Sequence, residues 1–127
     1  MEIVGIGTEI VECLRIRRMI EEHGEMFLLR VFTEPEVRFC QSRRLTTEHF
    51  AARWAAKEAV LKSLGTTGNR GTAWTDIATE TDEQGVLKAH MHGGLREVME
   101  KRGVADVLVS TSFCRAYATA TAIAVRA

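Results

Sequence analysis

Residues 50–71 read FAARWAAKEAVLKSLGTTGNRG, and four charges in this run sit where a solvated helix face would not put them. At about 100° of rotation per residue, Phe50, Trp54, Val60, Leu61 and Leu64 share one arc, while Ala51, Ala52, Ala55, Ala56 and Ala59 take much of the rest. Apolar residues nearly all round mark a buried helix, so Arg53, Lys57, Glu58 and Lys62 call for partners. Glu58 has two open to it. Lys62, one turn on, offers an i,i+4 pair worth about 0.3–0.5 kcal/mol. Alternatively, Mg²⁺ takes only one or two protein carboxylates together with waters and substrate phosphates, and Glu9 would supply the second carboxylate. Glycines in GTTGNRG can offer backbone N–H groups to a phosphate. That loop follows its helix, however, so the positive end of the dipole is at the wrong end, and a phosphate here would need Lys57, Lys62 or Arg53.

The elements that must position these side chains follow from pattern. EIVGIGTEIVEC is β-branched and glycine-punctuated, a strand whose backbone is closely approached near Gly5 and Gly7, with Glu9 towards its far end. LRIRRMIEEHG reads as a helix stopped at Gly24. Thr33, Pro35 and Glu36 form a capping box that opens a second helix. The alanine-rich helix runs from about His49 to Leu64, with Gly65 beyond it. AWTDIATET and VLKAHMH, joined by DEQG, read as a hairpin or two sequential strands. GGLREVMEKRG is a helix stopped at Gly103, and ADVLVSTS and YATATAIAVR are strands flanking a tight connection at FCRA. The order β-α-α-α-β-β-α-β-β implies an α+β fold, helices packed on a mainly antiparallel sheet.

The chain of 127 residues, 46% hydrophobic and 27% charged, is expected to form a single domain over 1–127. Its formal net charge of zero argues against a general nucleic-acid or membrane-surface binder. Arginines nonetheless concentrate in the first half, at Arg15, Arg17, Arg18, Arg30, Arg38, Arg43 and Arg44. Cys13, Cys40 and Cys114 form no CxxC pair, so reduced thiols in a cytoplasmic protein are expected rather than a disulfide framework or zinc site. No run is long and apolar enough to span a bilayer, and the start lacks the features of a signal peptide, so the mature chain is expected to begin near Met1. His90 and His92 alternate to one strand face but have no evident third ligand nearby. Phe39 and Trp74 read as core.

GIGTEIVECLRI, RVFTEPE, FAARWAAKEAVLKSLGT and LVSTSFCRAYATATAIA, in this order, resemble the holo-acyl-carrier-protein synthase family of 4′-phosphopantetheinyl transferases. They follow the family elements G-[IV]-G-x-D-[IV]-x-x-x-x-R-[IV], [FW]-x-x-K-E-[AS]-x-x-K and a closing V-S-x-S-H…A-x-A hairpin. The resemblance implies Mg²⁺-dependent transfer of the 4′-phosphopantetheine arm of coenzyme A to a serine of apo-acyl carrier protein, releasing adenosine 3′,5′-bisphosphate. It places Glu9 and Glu58 at the magnesium positions and Lys62 against the leaving phosphate, with Glu58, directly or through a metal-bound water, as base. Arg53, Lys57, Lys62 and Gly65 would line the coenzyme A groove, although the stems of Arg53 and Lys57 equally suit packing with their heads snorkelling out. Arg15, Arg18 and Met19 would receive the carrier protein's acidic helix, and a homotrimer would build each site between neighbours.

Two residues depart from the family pattern. Glu9 stands where aspartate is usual, one methylene longer. Phe113 stands where the hairpin commonly carries a histidine near the nucleotide phosphates, which leaves that contact to Arg115 or loses about 1.5–3 kcal/mol. These departures support an alternative, a catalytically impaired relative that binds carrier protein or nucleotide. A generic α+β domain with a merely structural pairing of Glu58 and Lys62 is the third reading.

Overall fold

The computed structural model describes residues 1–66 and 73–127, so most of GTTGNRG, the candidate phosphate-approaching loop, lies outside the described residues. The chain runs β1 (Glu2–Glu12), α1 (Cys13–His23), α2 (Glu25–Val31), α3 (Glu34–Gln41) and α4 (Thr46–Ser63). A 3-10 turn (Trp74–Asp76) leads to β2 (Ile77–Thr81) and β3 (Leu87–Met91), then α5 (Gly93–Arg102), β4 (Asp106–Phe113) and β5 (Tyr117–Arg126). The strands form one antiparallel sheet in the order β1-β5-β4-β3-β2, the expected α+β class.

Sequence pattern and structure differ at one helix and at two boundaries. MFLLRV is a helix of its own, α2, because Gly24 with φ 55° turns the chain at the end of α1 and lets a new helix start at once. Helix α4 begins at Thr46 rather than His49, and β2 begins at Ile77 because Trp74–Asp76 is a 3-10 turn. The capping box at Thr33 is formed: the Thr33 N–H donates to Glu36 Oε1 at 2.7 Å and the Glu36 N–H to Thr33 Oγ1 at 3.4 Å.

Small residues decide where α4 lies. Ala118, Ala120, Ala122 and Ala124 alternate along β5 and are buried, as are Ala51, Ala52, Ala55, Ala56 and Ala59 on α4. Gly5 and Gly7 bring β1 closer still. A Cβ on Gly5 would lie 1.9 Å from the Ser63 carbonyl oxygen, and one on Gly7 2.0 Å from that of Ala59. The close approach read from the strand's glycines is therefore made by α4. On its other flank α4 meets α1 and α3, and Phe50 packs on Phe32 with ring centroids 5.0 Å apart. Between positions 50 and 64 only Trp54, Glu58 and Lys62 are not buried. They are spaced four apart, so beyond its partly exposed first turn α4 is accessible along a single narrow strip.

Candidate active site

The strip on α4 faces the inward side of β1. Position 9 is two residues beyond Gly7, and the period of two along a strand turns its side chain to the same face as the glycines. Glu9 thereby meets α4 from across the molecule. Lys62 Nζ donates to Glu9 Oε1 at 2.5 Å and to the Thr8 carbonyl at 3.1 Å. The pairing weighed at sequence level, Glu58 with Lys62, is thus replaced by Glu9 with Lys62, because β1 presents a carboxylate that the lysine reaches together with a carbonyl.

Glu58 is left half-buried beside that pair. Burial and the Glu9 carboxylate push its carboxyl above the usual range, partly opposed by Lys62 and Arg15. Among the described residues no ion pair reaches Glu58 within 4 Å. Arg15 lies above Trp54, its guanidinium carbon 5.7 Å from the ring centroid, so the strip is flanked by a second cation. A cleft of about 410 Å³ opens alongside, lined by Thr8, Glu9, Ile10, Lys62, Thr119 and Thr121. Two carboxylates that repel each other, beside two cations and an open cleft, suit a hard divalent cation with a polyanionic substrate. The donor set of Glu9 and Glu58 fits Mg²⁺, which accepts so few protein ligands.

Arg53 and Lys57 are placed otherwise than expected. The Lys57 side chain is 0% exposed, with Nζ donating to Glu36 Oε1 at 2.7 Å, to the Val31 and Ile77 carbonyls at 2.8 Å each, and to that of Trp74 at 3.3 Å. Arg53 donates to Thr79 Oγ1 at 3.0 Å and Thr81 Oγ1 at 2.8 Å, and lies over Phe39 at 4.5 Å. Neither head lines a groove or snorkels into water. The reason is Glu36, whose second oxygen accepts from the Thr79 N–H at 2.8 Å and hydroxyl at 2.5 Å, drawing α3, α4 and β2 around one buried anion. Burial lowers the Lys57 ammonium from its ordinary value while Glu36 opposes that shift. In the sequence Glu36 reads only as part of a helix cap. The signal that pointed further was the demand of a buried lysine for a carboxylate.

The remaining candidates separate by location. Gly65, with φ 70°, ends α4, and a Cβ there would lie 2.4 Å from Arg102 Nη1. Arg18 is exposed, and Met19 lines a cleft of about 240 Å³ with His23, Met26, Phe27 and Arg30, so α2 extends the surface expected of α1 alone. Phe113 packs edge-on against His49, centroids 5.1 Å apart, and Arg115 lies in a different cleft with Arg17 and Glu48. His90 pairs with Glu80 at 3.0 Å. Trp74 stacks on Trp54 and, like Phe39, is packed partly buried against the core.

Known proteins resemble this chain in sequence and fold over nearly its whole length. Residues 5–122 match the 4′-phosphopantetheinyl transferase superfamily. The chain is 43% identical over 120 residues to the holo-[acyl-carrier-protein] synthase of Rhodopirellula baltica, spanning 94% of this chain and 95% of that protein. It is 42% identical over 127 residues to that of Chlamydia pneumoniae, spanning 98% of each. The crystal structure of holo-[acyl-carrier-protein] synthase from Neisseria meningitidis superposes with a TM-score of 0.89 at 29% identity, over 98% of this chain and 99% of that one. A holo-(acyl-carrier-protein) synthase from Bacillus anthracis, in complex with CoA (3′,5′-ADP), superposes at 0.82 with 28% identity over 100% of both chains. The fold, the matched segment and the relatives agree, and the chain belongs to the 4′-phosphopantetheinyl transferase superfamily as one of its holo-acyl-carrier-protein synthase enzymes.

Proposed function

We propose that this enzyme transfers the 4′-phosphopantetheine group of coenzyme A to a serine of apo-acyl carrier protein, with Mg²⁺, releasing adenosine 3′,5′-bisphosphate. The observation that carries the reading is the meeting of Glu9 with the narrow accessible strip in the buried part of α4, at Glu58 and Lys62. Glu9 and Glu58 would hold the magnesium ion, which when bound neutralises charge on the pyrophosphate. Glu58, with its carboxyl raised by burial and by Glu9, is the base suited to taking the proton of the attacking serine hydroxyl. Lys62 is exposed and flexible enough to leave Glu9 and pair with the phosphate that departs. Arg15, Arg18 and Met19 receive the carrier's acidic helix, and attraction between them speeds docking at low salt. Gly65 borders the coenzyme A groove. The enzyme works in the cytoplasm as a homotrimer with sites shared between neighbours, consistent with the exposed Ile6, Ile10 and Leu108 on the sheet face away from α4.

Mass spectrometry of apo-carrier protein incubated with enzyme, coenzyme A and Mg²⁺ tests this directly. The carrier is expected to gain one phosphopantetheine, and only with Mg²⁺ present. An unchanged carrier mass at high enzyme concentration would instead establish the impaired relative. Glu9→Asp in the same assay distinguishes a site rebuilt around glutamate, where the rate falls because Lys62 loses its reach to the carboxylate, from a compromised one, where the rate rises.

A further inference from the structure

Cys13 and Cys114 are 101 positions apart yet meet at one end of the sheet. The ladder of β1 and β5 runs to Glu12 opposite Tyr117, and the Cys13 N–H extends it by donating to the Ala116 carbonyl at 2.9 Å. Cys13 Sγ then lies 3.9 Å from the carbonyl oxygen of Cys114. One thiol is buried at the first residue of α1, while the other is exposed in the turn between β4 and β5. A cleft of about 300 Å³, lined by Cys13, Leu14, Arg17, Thr47, Glu48 and Arg115, opens over the buried thiol. The buried thiol thus lines a cleft that Arg115, the residue after Cys114 in the turn, also lines. The transfer chemistry uses neither thiol.

We propose that Cys13 and Cys114 are a reversible thiol–disulfide pair that ties the start of α1 to the β4–β5 turn when a small external disulfide oxidises them. The order of events follows from the surroundings. Backbone N–H groups of Tyr117 and Ala116 hold the Cys114 thiol below its ordinary value, whereas burial and Glu48 push that of Cys13 up. Cys114 thiolate attacks the external disulfide, forming a mixed disulfide and expelling one thiolate. Cys13 then loses its proton to solvent through the cleft and attacks the Cys114 sulfur, expelling the second thiolate. Two protein thiols are oxidised to one disulfide and the external disulfide is reduced to two thiols. Resting on the transferase reading, the bond also shifts the start of the helix that carries Arg15 and Arg18, and so slows transfer.

The test uses the reduced protein with glutathione disulfide as oxidant, followed by intact mass and peptide mapping without reductant. The expected product has lost two hydrogens, carries a peptide linked between positions 13 and 114, leaves Cys40 open to alkylation after unfolding, and reverts with dithiothreitol. Cys40, buried and with its thiol pushed up to about 12, serves as the inert internal control. Cys13→Ser should trap a single glutathione adduct at Cys114, and Cys114→Ser, a change at an exposed turn, should abolish the reaction. Stable adducts on separate cysteines, a bond to Cys40 or between two chains, or no mass change would overturn the pair. This readout needs neither carrier protein nor coenzyme A, so it is independent of the transferase reading. The oxidised enzyme is expected to transfer about tenfold more slowly until reduced, as misplacement of a docking element can cause. Full activity of the oxidised form would overturn the link to docking.

Discussion

Glu58 concentrates the conflict between stability and chemistry in this molecule. It is half-buried, its carboxyl is raised by burial first and by Glu9 second, and Lys62 is engaged by Glu9. A raised carboxyl pKa means that folding favours the protonated form, so this residue's contribution to stability is fully present below the ordinary carboxylate range and lost as pH rises through the raised value. Replacing it by glutamine removes that loss. Glu58→Gln is therefore expected to raise the melting temperature at pH 7 while abolishing phosphopantetheine transfer. The gain should shrink as pH falls and wild-type Glu58 itself becomes protonated. Thermal melts at a series of pH values, beside the mass assay, check both halves. A lower melting temperature at pH 7 would show that Glu58 contributes a favourable contact instead. Mg²⁺ should stabilise the wild type but not the glutamine variant, because one cation between two carboxylates relieves the same repulsion.

At the scale of elements, the site depends on how closely α4 lies on β1. Gly7 is the tightest point with consequence for the site, since a methyl group there would meet the Ala59 carbonyl at 2.0 Å and the Ser63 nitrogen at 2.7 Å. Both atoms belong to helix backbone and cannot swing aside. Gly7→Ala is expected to cost about 3 kcal/mol, the upper range for overpacking, and to weaken the Mg²⁺-dependent rise in melting temperature by parting Glu9 from Glu58. An unchanged melting temperature would mean that the sheet yields where β1 and α4 touch. Much of this geometry was legible in advance: the glycines signalled a close approach, the all-round apolar pattern a buried helix, and the capping box a helix start at Thr33. The partners of the buried cations were not legible. Glu36 satisfies local capping chemistry so well that nothing local marks it as the anion for Lys57, and Thr79 and Thr81 come from a strand whose register only the folded chain defines. Helix α2 is not legible because seven residues carry too little periodicity to distinguish a short helix from a connection.

For the whole molecule, the open question is what covers the face of the sheet turned away from α4. Ile6 and Ile10 of β1 are each 62% exposed there and Leu108 of β4 is 48% exposed. Register places Ile6, Ile123 and Leu108 side by side across β1, β5 and β4, so these side chains form one contiguous apolar row rather than scattered exposure. A formal net charge of zero leaves little repulsion between copies to oppose association. Each such side chain buried between subunits contributes about 1.5–3 kcal/mol, enough for a few residues per subunit to hold a closed assembly. Ile6→Asp sets a carboxylate in the middle of that row, where it is solvated in an isolated chain and desolvated in an assembly. It should therefore leave the single chain folded and dissociate the oligomer. Light scattering coupled to size exclusion is expected to give a trimer for the wild type and a monomer for the variant. If the proposed shared site is built between neighbours, transfer should fall with the loss of assembly and recover partly at high protein concentration. A wild-type chain that is monomeric and fully active would remove the shared site, leaving Glu9, Glu58 and Lys62 of one chain to carry the chemistry alone.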